Sequence, residues 1–246
     1  MSWTYWRAQP ALWRAAWAAT AVVLSLGLPA ELAHATESKN LAPGFSQLGR
    51  SEPVVVLPID VELFSISAGG VPEPKADWTA TAAGHMKQAL HAKIGKLGMN
   101  AQWADDALAD EFAEQVGLHA AVARSIALHH FVAGGWALPS KEGKLDWSFD
   151  DSMRGIQAKT GARYGLFVWV RDSYASAERK AAMVLMALVG VGLGGGVQNG
   201  YASLVDLESG RVLWFNRLAR ASGDMREAGP AAESIDALMI GFPVVQ

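Results

Sequence analysis

The chain has no cysteine among its 246 residues. That excludes disulfides, thiolate metal sites, iron–sulfur ligation, a cysteine nucleophile and a lipoprotein anchor, which needs a cysteine to carry its acyl chains. Charge is also scarce, with 18% charged residues and a formal net charge of −3. This balance excludes a nucleic-acid binder held by bulk positive charge. Disorder is excluded too, because 51% of the residues are hydrophobic and can build a sizeable core. No H-E-x-x-H, P-loop or nucleophile-elbow motif occurs. Long apolar runs are few, and each falls short of the roughly 20 residues that span a hydrocarbon core.

The first such run gives the address. Residues 1–14 carry Arg7 and Arg14 and no acidic group, and the uncharged stretch 15–30 follows, ending at the small-x-small site Ala33-His34-Ala35. A basic start, a short apolar centre and such a site are the pattern of a secretory signal peptide. Residues 1–35 are therefore expected to be removed, and the mature chain to be exported to the periplasm. Removal takes away Arg7, Arg14 and Glu31, so 21 basic and 24 acidic residues become 19 and 23, and the formal charge becomes −4. The polar stretch 36–52 reads as a flexible leader, and 53–246 as a single α/β domain.

Within that domain, Val54-Val55-Val56-Leu57 is a β-branched run of the kind found in a strand buried on both faces. Beyond Pro58 the pattern alternates, with Ile59, Val61 and Leu63 opposite Asp60, Glu62 and Phe64. After a Gly- and Pro-containing loop at 67–75, Trp78, Ala82, Met86, Leu90, Ile94 and Leu97 keep helical spacing, with Asp77 as N-cap and Gly95 and Gly98 marking the end. A short strand is expected at 100–104. Helices are expected at 105–116 and 118–131, separated by Gly117, and another begins near Ser148. Residues 164–170 form a second fully apolar strand, and 201–207 and 211–217 flank Glu208-Ser209-Gly210 as a bulged β-hairpin. A helix at 231–240 closes the chain. Helical patterns alternating with strands, then a hairpin, imply a two- or three-layer α/β sandwich around a mixed sheet of about five strands.

The run Leu204-Val205-Asp206-Leu207-Glu208-Ser209-Gly210-Arg211-Val212-Leu213-Trp214 resembles a hairpin found in exported envelope proteins. These include the amino-terminal domain of the Tol translocation beta-propeller protein and the periplasmic domain of the curli secretion channel. The opening strand Val54-Val55-Val56-Leu57-Pro58, the helix after it and the strand ending Val170-Arg171 are similar in order. The strand end Val170-Arg171-Asp172-Ser173-Tyr174 also resembles that of a group of uncharacterised exported proteins. The resemblance implies an α/β envelope module and no established activity. The chain departs from the curli channel in lacking its lipidation cysteine.

Three sets of residues carry candidate chemistry. If the strands at 54–60 and 164–170 are parallel neighbours, Asp60, Glu62, Arg171, Asp172 and Ser173 gather beyond their carboxyl ends, where open α/β sheets place ligands. Asp60, Glu62 and Asp172 are thus the candidate acid–base residues of a hydrolase. The second set is 181–197, seventeen residues without a charge. It reads either as a glycine-rich exit from a buried helix or as a segment touching a partner or membrane through Leu185, Leu188, Val191 and Leu193. Its Gly190-x-Gly192-x-x-Gly195 spacing matches a dinucleotide loop, but the run leaves a helix and enters a strand, the reverse of what such a loop requires. The third set is the histidines: His85 and His91 point about 120° apart on a helix, and His119 and His130 stand roughly 16 Å apart along one, so no metal site is expected. The acidic cluster from Asp105 to Glu114 reads as a solvated helix start.

No cofactor, metal or nucleic acid is expected. The reading favoured by these features is an exported, non-catalytic binding or assembly module of the bacterial cell envelope, with an envelope protein partner or a homo-oligomer. A periplasmic hydrolase and a peripheral membrane protein attached through 181–196 are the alternatives.

Overall fold

One long strand organises the molecule. In the computed structural model, which describes residues 38–132 and 134–243, β5 (Tyr164–Ala175) is paired along both edges. On one edge it takes two parallel partners in succession. β1 (Val54–Val56) pairs with its first residues, and β2 (Asp60–Ile66) pairs with Trp169 to Ala175. Pro58 sits in the break between them, where a residue with no backbone N–H cannot continue the ladder. On the other edge, β6 (Gln198–Asp206) runs antiparallel from Tyr164 to Asp172 and pairs in turn with β7 (Val212–Arg220).

Two short strands complete the interrupted edge. β4 (Ala101–Trp103) lies parallel to β1, and β3 (Pro72–Pro74) lies antiparallel to β2. The sheet is mixed and has seven strands rather than about five. One addition is the split of the first strand at Pro58. Another is β3, whose Pro-Glu-Pro sequence is fully exposed and carries no apolar pattern.

Helices cover both faces, so the sandwich has three layers. α1 (Ala76–Leu97) buries Ala82, Met86, Leu90 and Ile94, the expected stripe. It packs beside α6 (Ala228–Leu238) over Val61, Leu63, Val168, Val170 and Leu204. Lys75, not Asp77, is its N-cap, while Gly98 at φ 66° closes it as expected. The opposite face is covered by α3 (Ala113–Ile126) and α4 (Arg154–Thr160), with Phe112, Ile126, Met153 and Ile156 over Val55, Phe167, Val205 and Phe215.

The helical region before α3 divides at Phe112 rather than at Gly117. α2 (Asp106–Glu111) is capped by the Asp105 carboxylate, which accepts from Leu108 N, and Gly117 lies inside α3. α3 then runs into a π-helical turn, Ala127–Phe131.

The expected hairpin is β6–β7, with Gly210 at φ 71° in the turn and a register shift at Leu204/Val205. A Cβ on Gly210 would stand 2.1 Å from the Asp150 carbonyl oxygen, so the turn needs glycine for space as well as for its dihedral angle.

The stretch expected as a loose leader differs. Ala42 N donates to Leu213 O at 2.9 Å, Asn40 Nδ2 donates to Phe215 O at 2.7 Å, and Leu48 is buried. Apolar side chains at 42 and 48 are enough to lay this strap against β7. The proposed signal peptide, 1–35, lies outside the described residues.

Candidate interaction surface

The three candidate carboxylates do not share a site. β2 and β5 are parallel neighbours as expected, but both strands continue past the residues in question, to Ile66 and Ala175. The carboxylates therefore lie within the ladder instead of beyond its end. Successive residues of a strand face opposite ways. Arg171 shares a face with Asp60 and Glu62 and forms ion pairs with them at 2.7 and 3.2 Å, its guanidinium 4.7 Å from the Trp169 ring centroid. All three are partly open to solvent. One guanidinium thus serves both carboxylates as their ion-pair partner.

Asp172 points through the sheet to the other side, where it is buried. It accepts from Tyr174 Oη, from Gln198 Nε2 at 2.8 Å and from Ser173 N at 2.7 Å. Gln198 Oε1 accepts in turn from Arg220, which also reaches Ser234 on α6. Burial raises the Asp172 pKa above the ordinary carboxylate range, against the opposing effect of the hydrogen bonds from Tyr174, Gln198 and Ser173. The Tyr174 hydroxyl is pushed up by burial and by the carboxylate it bonds, and it accepts from Met225 N at 2.8 Å. These links tie β5, β6 and β7 to the segment entering α6. They have the form of a structural network, with every partner inside the fold.

The apolar segment stands out from the body. α5 (Ala177–Leu188) starts with Ser176, whose side chain accepts from Arg179 N, and it has no buried residue. The reading of a buried helix is thereby corrected. Leu188 is 79% exposed, Val189 71%, and Val184 and Leu185 are both 65% exposed. Of the other residues expected at a contact, Val191 is exposed and Leu193 is half-buried.

α5 and the glycine-rich return loop 189–197 form a finger between two neighbouring strands. Its neck is well fixed. Ser173 Oγ accepts from Val197 N at 3.0 Å and donates to Val197 O at 3.1 Å. Gly196 passes so close to Ser173 that a Cβ there would stand 1.9 Å from its carbonyl oxygen. Arg179 donates to Gly194 O and Ala68 O, holding the helix start to the return loop and to the β2–β3 turn. Val71, on that turn, is 61% exposed and extends the apolar surface.

Within the return loop, the backbone N–H groups of residues 192–196 make no hydrogen bond among the described residues. The glycine run at 190–195 follows a helix and precedes a strand, the reverse of a dinucleotide loop, and lies in the open. Among the described residues no helix is long and apolar enough to cross a membrane, and no three His, Asp or Glu side chains group to hold a metal ion. His119 is buried against Ser203, and the acidic residues at 105–114 sit on α2 and the start of α3.

No protein-family model matches the chain, and no curated protein matches it in sequence. Among solved structures it is similar to a PelC dodecamer from Paraburkholderia phytofirmans, with 15% identity over 82% of this chain and 94% of that chain and a TM-score of 0.39. It is also similar to lipoprotein GNA1162 from Neisseria meningitidis, with 13% identity over 76% and 95% and a TM-score of 0.32. The LpoB C-terminal domain from Salmonella enterica gives 12% identity over 73% and 87% and a TM-score of 0.29. Likenesses at this level carry no argument about function.

Proposed function

We propose that the chain is an exported, non-catalytic binding or assembly module of the bacterial cell envelope that docks its finger, α5 with loop 189–197, into an apolar socket on a partner protein. The observation that carries this reading is a helix without a single buried residue whose last eight positions are all apolar. A helix that is hydrophobic all round normally belongs inside something. Burying Val184, Leu185, Leu188 and Val189 would contribute about 4–8 kcal/mol before the costs of association. Export rests on the pattern of residues 1–35.

The return loop favours protein over lipid as the occupant's chemistry. Five consecutive unpaired backbone N–H groups would cost several kcal/mol each in hydrocarbon, whereas a protein socket can pair them. A second copy fits less well. Two such fingers related by a two-fold axis would cover one side of each other and leave the other side wet.

A photo-crosslinking residue at position 188 of the full chain, expressed in cells, tests the proposal. The expected result is an adduct with one envelope protein that, once purified, binds the wild-type chain and binds Leu188→Asp at least about tenfold more weakly. Adducts only with lipid or only with the same chain would overturn it. So would a purified partner that binds Leu188→Asp as tightly as the wild type.

A further inference from the structure

On the helical face that carries α3, away from the finger, a cavity of about 170 Å³ lies beside the π-helical turn. Its lining includes Lys39 from the strap, His129 and His130 from the turn, and Lys141 and Trp147 from the loop beyond. Every titratable side chain in the lining is basic. Lys141 is partly compensated, since its Nζ bonds Asp146 O and stands 3.8 Å from the Asp146 carboxylate. Lys39 is exposed and has no ion pair among the described residues.

Three features say that this cavity is built for an occupant. The indole N–H of Trp147 is buried with no hydrogen-bond partner. Such groups are nearly always satisfied, by protein or by a bound species. Trp214 has the same deficit but is sealed in the core, whereas the Trp147 side chain lines the cavity with its N–H closed off beneath the wall. Secondly, the π-helical geometry of 127–131 is a rare one that recurs at functional sites. Thirdly, both histidines are held from behind. His129 Nδ1 lies 2.7 Å from the Trp136 carbonyl and His130 Nε2 lies 2.7 Å from the Lys39 carbonyl. A carbonyl only accepts, so each of those nitrogens carries its proton and each ring is fixed in orientation.

We infer that this cavity binds a small anion through an oxyanion group, carboxylate or phosphate, that pairs with Lys39 Nζ and draws the closed-off indole of Trp147 into donating from Nε1 to one of its oxygens. The volume is that of about five or six waters, room for a ligand no larger than one sugar acid or one phosphate with a short organic group. The inference stands independently of the finger and of its partner.

The test uses the isotopically labelled full chain and follows the indole N–H resonance of Trp147, identified by its loss in Trp147→Phe. Inorganic phosphate, glucuronate and neutral glucose are titrated in turn. The expected result is a saturable movement with phosphate or with glucuronate and none with glucose. The tighter of the two anions identifies the source class. Lys39→Gln, at an exposed position that leaves the fold alone, weakens that binding about tenfold. No movement with either anion at millimolar concentration, an equal response to glucose, or unchanged binding by Lys39→Gln would each overturn the inference.

Discussion

His119 makes the stability of this fold depend on acidity in a way that can be measured. It sits on α3, is 2% exposed, contacts Ser203 Oγ on β6 through Nε2 at 2.9 Å and stacks on Phe167 at 4.9 Å between centroids. Burial alone lowers its pKa from 6.5 to about 3. The native state therefore binds a proton less readily than the unfolded chain, and protonation favours unfolding. The stability tied to the neutral ring is fully present above pH 6.5 and is lost as the pH falls toward about 3. The full difference is about 4–5 kcal/mol, a large part of the 5–15 kcal/mol typical of a domain. Between pH 7 and pH 5 the loss is about 2 kcal/mol. Glutamine is close in length, can still reach Ser203 and does not titrate, so His119→Gln is the matched control. Urea unfolding of both chains at several pH values between 7.5 and 4 should show the wild type losing stability faster, with the two curves diverging by about 2 kcal/mol at pH 5. If the two run parallel, the ring is not desolvated as described and the reasoning fails.

Other expectations follow from the same structure. Asp172→Ala strands the donors of Tyr174, Gln198 and Ser173 and should cost about 2–4 kcal/mol in denaturant unfolding. Because the native pKa of Asp172 is raised, its contribution runs opposite to that of His119. It favours the fold at low pH and is lost as the pH rises from the ordinary carboxylate value through the raised one, a trend absent in Asp172→Asn. Asp60→Asn and Glu62→Gln break only solvent-accessible pairs with Arg171, and each should change stability by less than about 1 kcal/mol, with the effect shrinking at high salt. Gly210→Ala should lower stability by more than about 2 kcal/mol, because its Cβ would overlap the Asp150 backbone at a positive φ, whereas Gly192→Ala meets nothing within 4 Å and should cost under about 0.5 kcal/mol in the same melt.

The parts of the fold written in local pattern were legible. Val54–Val56 and Tyr164–Val170 announce themselves as buried strands by unbroken apolar runs, and Met86, Leu90 and Ile94 mark the inner side of α1 by spacing alone. Gly210 identifies the hairpin because its turn admits little else. What escaped depends on long-range contact. β3 exists only because β2 offers it an edge, and the strap at 38–48 is ordered by β7, which lies about 170 residues further along the chain. The opposed directions of Arg171 and Asp172 follow from strand alternation, so the separation of the three carboxylates could have been foreseen once the strand was carried past Val170. The exposure of α5 could not, since a run of apolar residues says that a surface wants cover and not what supplies it. The π-helical turn left no signal in composition.

The wiring of the sheet also sets when it can form. β1 must find β5 across more than 100 residues, and β5 needs β6 on its other edge, so the central ladder cannot close until most of the chain is available. Such non-local closure makes folding slow, because the entropy of long loops is lost before any pairing offsets it. With no cysteine to lock an early intermediate, the pieces that can form before β5 is available are local ones, α1 and the β1–β4 pair that it joins. The same order makes the β6–β7 hairpin the closing piece: it completes the ladder, and the strap at 38–48 can dock only once β7 is in place.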